Sequence, residues 1–101
     1  ITRGMLMVVE ADSGIRSFSL KTLQESWVND DYKNRDLSNA VNFKGNMIIG
    51  DFEGYLHVID TLNGRTIGRQ KISRKPIKTV FSRSDSLYVI DEAFNLFSIN
   101  I

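Results

Sequence analysis

Cysteine is missing from this 101-residue chain, and proline, histidine and tryptophan occur once each. Without cysteine there is no disulfide framework, no thiolate nucleophile and no cysteine-built zinc site, so the fold has to rest on its core alone. A single histidine, His57, supports neither a Ser-His-Asp arrangement nor a metal site, which needs ligands converging from several elements. Long apolar runs are absent too: none approaches the ~20 residues of a membrane-spanning helix, and Ile1 to Glu10 lacks the layout of a secretion signal. No stretch combines a 3.6-residue apolar period with caps, which predicts essentially no helix and so excludes a glycine-rich phosphate loop leading into one.

Net charge is small at +1, but the charges are segregated. Between Thr61 and Ser84 stand seven basic residues and no acid, while Asp85 to Ile101 holds three acids and no base. Hydrophobic residues make up 42% and charged residues 25%, the ordinary globular range.

What the chain does have is a repeat. The segment from Lys44 aligns at an offset of 40 with the segment from Ser84, so that Met47, Ile48, Ile49, Asp51, Leu56 and Ile59 fall on Leu87, Tyr88, Val89, Asp91, Leu96 and Ile99. The segment from Arg3 fits the same template at an offset of about 41. Each copy reads as an apolar run, a turn, an alternating apolar run, a second turn and a third stretch, which is the grammar of strands and hairpins. Ser13-Gly14, Glu53-Gly54 and Asn63-Gly64 put glycine where short turns need a positive φ. Phe94 occupies the place of Gly54, which predicts a different turn in the last hairpin, and Leu23 replaces the turn glycine Gly64.

Shorter extended pieces, Arg35 to Phe43 and Pro76 to Ser82, precede the second and third copies and give four strands per unit of about 40 residues. That is the arithmetic of a β-propeller blade. The expected fold is all-β: a partial propeller of about two and a half four-stranded antiparallel blades, with outer strands of one blade in 1–34, a complete blade in 35–75 and inner strands of another in 76–101. The third copy stops after its third strand at Ile101, which leaves an outer strand wanting and predicts open edges, bare inter-blade faces and self-association.

Gly50, Asp51 and Gly54, followed by Asp60 and Gly64, resemble the quinoprotein-type blade pattern, in which a tryptophan often stands where Gly68 stands here and where Trp27 stands in the first copy. Within that superfamily, Gly50 to Asp60 with Gly64-Arg65 and Gln70-Lys71 resembles the penultimate blade of the BamB family, the likeness reaching from Gly4-Met5 to Ser98-Ile99 and being strongest between Asn42 and Lys71. The resemblance implies the last quarter of an eight-bladed lipoprotein, a non-enzymatic member of the Bam complex that docks on the POTRA domains of BamA at the periplasmic face of the outer membrane. It implies no cofactor, and a lipid anchor outside this chain. The alternative is a fragment of a quinoprotein dehydrogenase, which binds pyrroloquinoline quinone with calcium, though no residue here marks such a site.

Asp51 and Asp91 recur at equivalent positions, which points to a structural task in accepting hydrogen bonds from turn N–H groups. Trp27 reads as blade-to-blade packing, and His57 as a packed or channel-facing strand residue. No catalytic, cofactor or metal residue is expected. The feature that reaches outward is the basic run, with Arg65, Arg69, Lys71, Arg74, Lys75 and Lys78 as a candidate electrostatic contact surface for acidic loops of a partner or anionic headgroups. Nucleic acid is not an expected partner, because apart from Phe81 no aromatic residue interleaves with these charges to stack bases.

Overall fold

Alternating apolar residues interrupted every few positions by turn-formers leave the chain little choice but short antiparallel strands. The computed structural model describes residues 4–10, 14–32 and 35–99. Ser13, of the first anticipated hairpin turn, and the terminal Ile101 lie outside these residues. Ten strands run in chain order: β1 Met5–Glu10, β2 Gly14–Ser19, β3 Glu25–Asn29, β4 Ala40–Phe43, β5 Asn46–Gly50, β6 Tyr55–Asp60, β7 Thr66–Lys71, β8 Ile77–Arg83, β9 Ser86–Asp91 and β10 Leu96–Ile99. They form three antiparallel meanders, a first sheet β1-β2-β3, a middle sheet β4-β5-β6-β7 and a last sheet β8-β9-β10. Asp30–Tyr32 forms a single 3-10 turn, the only helical element among the described residues and one that the apolar pattern did not announce.

Two apolar seams join the three sheets. Ile48 and Leu56 of the middle sheet pack with Val80, Leu87 and Val89 of the last, closed at the edge by Phe43 and Ile77. On the opposite face, Met47, Ile49 and Ile59 pack with Ile15, Trp27 and Tyr32 of the first sheet and its following turn. Successive residues of one strand therefore serve different neighbours, and Leu56, His57 and Ile59 of β6 are all buried. Both faces of the middle sheet are covered, as its two-sided apolar pattern requires.

Polar ties fix the sheets in register with one another. The Trp27 indole Nε1 donates to the Thr61 carbonyl at 3.0 Å, and the Asn29 side-chain amide donates to the Gly64 carbonyl at 2.7 Å. A Cβ on Gly64 would run into the Trp27 ring, so the turn between β6 and β7 can sit under the indole only with glycine there. Trp27→Phe keeps an aromatic ring but gives up part of the indole's packing and leaves the Thr61 carbonyl without this donor. It is expected to lower stability by about 2 kcal/mol, the lost hydrogen bond together with the lost packing, read as a shift in urea midpoint with an unchanged denaturant slope.

At the other seam, Asn39 behaves as a detached piece of backbone. Its Nδ2 donates to the Val80 carbonyl at 2.7 Å, and its Oδ1 accepts from the Val80 N–H at 3.0 Å and from the Thr79 hydroxyl at 2.9 Å. The tie falls beside the register shift that β8 makes between Ile77 and Thr79.

Candidate functional site

Asp51 directly follows β5, and both of its carboxylate oxygens are engaged. Oδ1 accepts from the N–H groups of Glu53 and Tyr55 at 2.9 and 3.0 Å, which closes the hairpin into β6. Asp91 does the same in the last sheet, accepting from Ala93 and Asn95 at 3.0 and 2.9 Å. The structural task expected of these two aspartates is therefore the one they perform. The anticipated change of turn at Phe94 does not occur. Phe94 holds φ at 62° where Gly54 holds 86°, and its N–H reaches the Asp91 carbonyl just as that of Gly54 reaches Asp51. Enough hydrogen bonds converge on each aspartate to hold a side-chain-bearing residue in the left-handed region. Leu23, at 60°, takes the place of Gly64 in the same manner.

The second oxygen, Oδ2, differs between copies. In Asp51 it meets His57 Nε2 at 2.7 Å and the Arg35 guanidinium at 3.6 Å. His57 is buried, and the Tyr32 ring stands edge-on to it at 4.8 Å. The Tyr32 hydroxyl bonds the Thr66 hydroxyl. Burial pushes the Tyr32 phenol above its ordinary value of 10.0, so it stays protonated. The result is a polar joint between the turn after the first sheet and strands β6 and β7 of the middle one. It lines a cavity of about 350 Å³ with Asp31, Tyr32, Arg35, His57, Thr66 and Arg69.

A histidine oriented by a buried aspartate has the arrangement of a base and its positioning partner. The hydroxyl that reaches this cluster, however, bonds Tyr32 and not His57. Among the described residues, no three of His, Asp and Glu come together as a metal ion would need. What the contacts show is a tie between the turn after the first sheet and strands β6 and β7 of the middle one.

In Asp91, Oδ2 accepts from the Ser73 hydroxyl at 2.6 Å and from the Asn95 amide at 3.2 Å. The Ser73 bond, first among several donors, holds this carboxyl below its ordinary value of 3.8. A depressed carboxylate stabilises the fold above its unfolded-state value and loses that contribution as pH falls through the folded one. Ser73→Ala is therefore expected to lower the melting temperature at neutral pH. The gap from the parent chain should close as pH is taken below 3.8, a pattern that calorimetry across an acid series checks.

The six basic residues of the expected contact surface all stand exposed. Arg69 and Lys71 alternate along β7 and lie over the Tyr55 ring at 5.3 and 4.9 Å, with Lys71 Nζ also donating to the Glu53 carbonyl at 2.7 Å. Arg65 precedes β7, Arg74 and Lys75 sit in the connection to β8, and Lys78 lies over Phe94 in the last sheet, 5.0 Å from the ring centroid. The cluster of Tyr32, Arg35, Asp51, His57 and Thr66 was missed as a unit. Its one sequence signal was the hairpin register, which pairs Ile49 with His57 and so sets Asp51 on the same face of the neighbouring strand.

Comparison with known proteins follows the same lines. No protein-family model matches the chain. The outer membrane protein assembly factor BamB of Francisella tularensis is 31% identical over 75 residues, covering 74% of this chain and 16% of that protein. BamB of Escherichia coli K12 is 38% identical over 53 residues, covering 52% of this chain and 14% of its own length. The crystal structure of BamB from Moraxella catarrhalis superposes with a TM-score of 0.84 over 95% of this chain and 28% of that one, at 21% identity. This chain is a BamB-like segment. It spans only about a sixth of the length of the curated BamB relatives. The partial propeller expected from the repeat is the fold observed, and the three sheets of the BamB-like segment are joined by two apolar seams, one on each face of the middle sheet.

Proposed function

We propose that the chain is part of a non-enzymatic scaffold that assists assembly of β-barrel proteins into the bacterial outer membrane, acting at its periplasmic face by docking on the POTRA domains of BamA. The observation that supports this reading is the 31% identity with the Francisella BamB over 75 residues. In this reading residues 35–75 form one complete blade flanked by parts of two others. A scaffold needs rigid seams and presented side chains rather than a reacting group, and the buried polar joint at Asp51 and His57 suits that use. The rim cations Arg65, Arg69, Lys71, Arg74 and Lys75 are offered to acidic loops or anionic headgroups, with Lys78 set apart from them on the last sheet.

A chimera tests this. The matching 53-residue segment of the Escherichia coli BamB is replaced by the residues of this chain, and the product is expected to copurify with the BamA POTRA domains. A folded chimera that shows no binding at concentrations on the order of tens of micromolar would count decisively against the docking reading.

A further inference from the structure

The cavity of about 350 Å³ beside Asp51 and His57 lies at an internal seam, between the turn after the first sheet and strands β6 and β7 of the middle one. Its size is at the small end of the range for small-molecule sites, about 300 to 1,000 Å³. Two guanidinium groups line it. Arg35 is half-buried and held in place, its Nε donating to the Asp31 carbonyl at 2.9 Å and its guanidinium lying 5.9 Å from the Tyr32 ring centroid. The 3.6 Å that separates Arg35 from the Asp51 carboxylate is too long for a hydrogen bond, so its terminal nitrogens are left to donate elsewhere. Arg69 stands opposite His57 in the pairing of β6 with β7 and lies over the Tyr55 ring, and among the described residues no carboxylate meets it. Asp31, the one acid among the described lining residues, is exposed.

His57 decides which anion fits. The residue is 2% exposed, and its Nε2 faces the Asp51 carboxylate at 2.7 Å, so in the neutral imidazole Nε2 carries the hydrogen and Nδ1 is left as an acceptor. Among the described residues Nδ1 has no hydrogen-bond partner, and His57 lines the cavity. A buried ring nitrogen without a partner is costly, and the cavity is where a donor can reach it. The matching ligand therefore presents negative oxygens to two guanidinium groups and a hydroxyl to His57. Hydrogen phosphate and singly protonated phosphate monoesters carry both, whereas sulfate and carboxylates at neutral pH carry only the first.

We propose that this cavity binds a phosphate group, its charged oxygens held by Arg35 and Arg69 and its P–OH donating to His57 Nδ1. Guanidinium groups match phosphate oxygens in geometry as well as charge. The Tyr32 and Thr66 hydroxyls add a donor, because whichever gives its hydrogen to the other, the acceptor keeps its own.

Titration of the 101-residue chain at neutral pH and fixed ionic strength tests this, followed by calorimetry and by the nitrogen-15 resonance of His57 Nδ1. Sodium phosphate is expected to bind at about 0.1 to 1 millimolar and to move that resonance. Sulfate is expected to bind at least about tenfold more weakly, because it leaves Nδ1 unpaired. Arg69→Gln, at an exposed position, is expected to keep the circular dichroism of the parent and to weaken phosphate about tenfold. Arg83→Gln, which removes an equal charge from β8, is expected to leave binding unchanged. Glycerol 3-phosphate titrated in parallel identifies the source of the group: tighter binding than inorganic phosphate supports the site as one for a phosphate ester, weaker binding supports it as one for the free ion. Equal affinities for phosphate and sulfate, an unmoved His57 resonance at about 20 millimolar phosphate, or an unchanged affinity in Arg69→Gln would each overturn the proposal.

Discussion

Gly54→Ala is expected to destabilise the chain by about 3 kcal/mol, the sum of a left-handed backbone forced on a side-chain-bearing residue and an overpacked contact. The second contribution decides the size. Phe94 shows that the equivalent turn tolerates a side chain at φ of 62°, so conformation alone does not make Gly54 indispensable. A Cβ on Gly54 would fall on the Ser73 carbonyl oxygen and lie 2.9 Å from that of Lys75, and both are backbone atoms of the connection between the middle and last sheets. The Gly54 carbonyl also accepts from the N–H groups of Ile72 and Ser73, so the turn and the connection cannot separate cheaply. Gly68 provides the control. No atom lies within 4 Å of a Cβ built there, and Gly68→Ala is expected to stay within about 0.5 kcal/mol of the parent chain. Equal losses at the two glycines in chemical denaturation would remove the steric argument.

Asp51→Ala is expected to cost about 3 to 5 kcal/mol, in the range for breaking a buried charged network from one side. The substitution strips acceptors from the Glu53 and Tyr55 N–H groups and leaves His57 Nε2 and Arg35 facing an empty site. Asp51→Asn separates these effects. Its remaining oxygen can still close the turn while its amide replaces the charge that met His57 and Arg35, so a loss of about half that of the alanine variant is expected. Thermal melts of both variants, with hydrogen exchange at Tyr55, check the division. If asparagine proves as damaging as alanine, the histidine and arginine contacts carry the stability and the turn carries little.

The repeat was legible because it is imposed by backbone chemistry. A hairpin that closes on a carboxylate needs an aspartate at one place, and Asp51 and Asp91 therefore recur forty positions apart. The apolar residues could be assigned to two faces because strand geometry leaves only two. Phe94 misled, since a missing glycine normally signals a different turn. Here hydrogen bonds gathered at a neighbouring residue hold the left-handed conformation, and no local signal announces that. Asn39 was invisible for a related reason. An isolated asparagine before a short strand looks like any loop residue, and only the tertiary fold brings Val80 to it. The cluster at His57 lay between, since its aspartate and histidine could be set on one face by register, whereas Tyr32, Arg35 and Thr66 arrive from other elements. The basic run spans a strand, a connection and the following strand, and the structure accordingly distributes it over β7, the connection and β8.

The two aspartates divide their labour by atom. One oxygen does the same thing in both copies and keeps the hairpin identical. The other answers to local circumstance, meeting a histidine and an arginine in one sheet and a serine and an asparagine in the next. A tandem array built this way can change how adjoining units are fastened while the part that makes them units stays untouched. Substitutions around the variable oxygen, at His57 or Ser73, thus offer a way to retune individual seams, tightening one or adding a pH response to another, without rewriting the repeat.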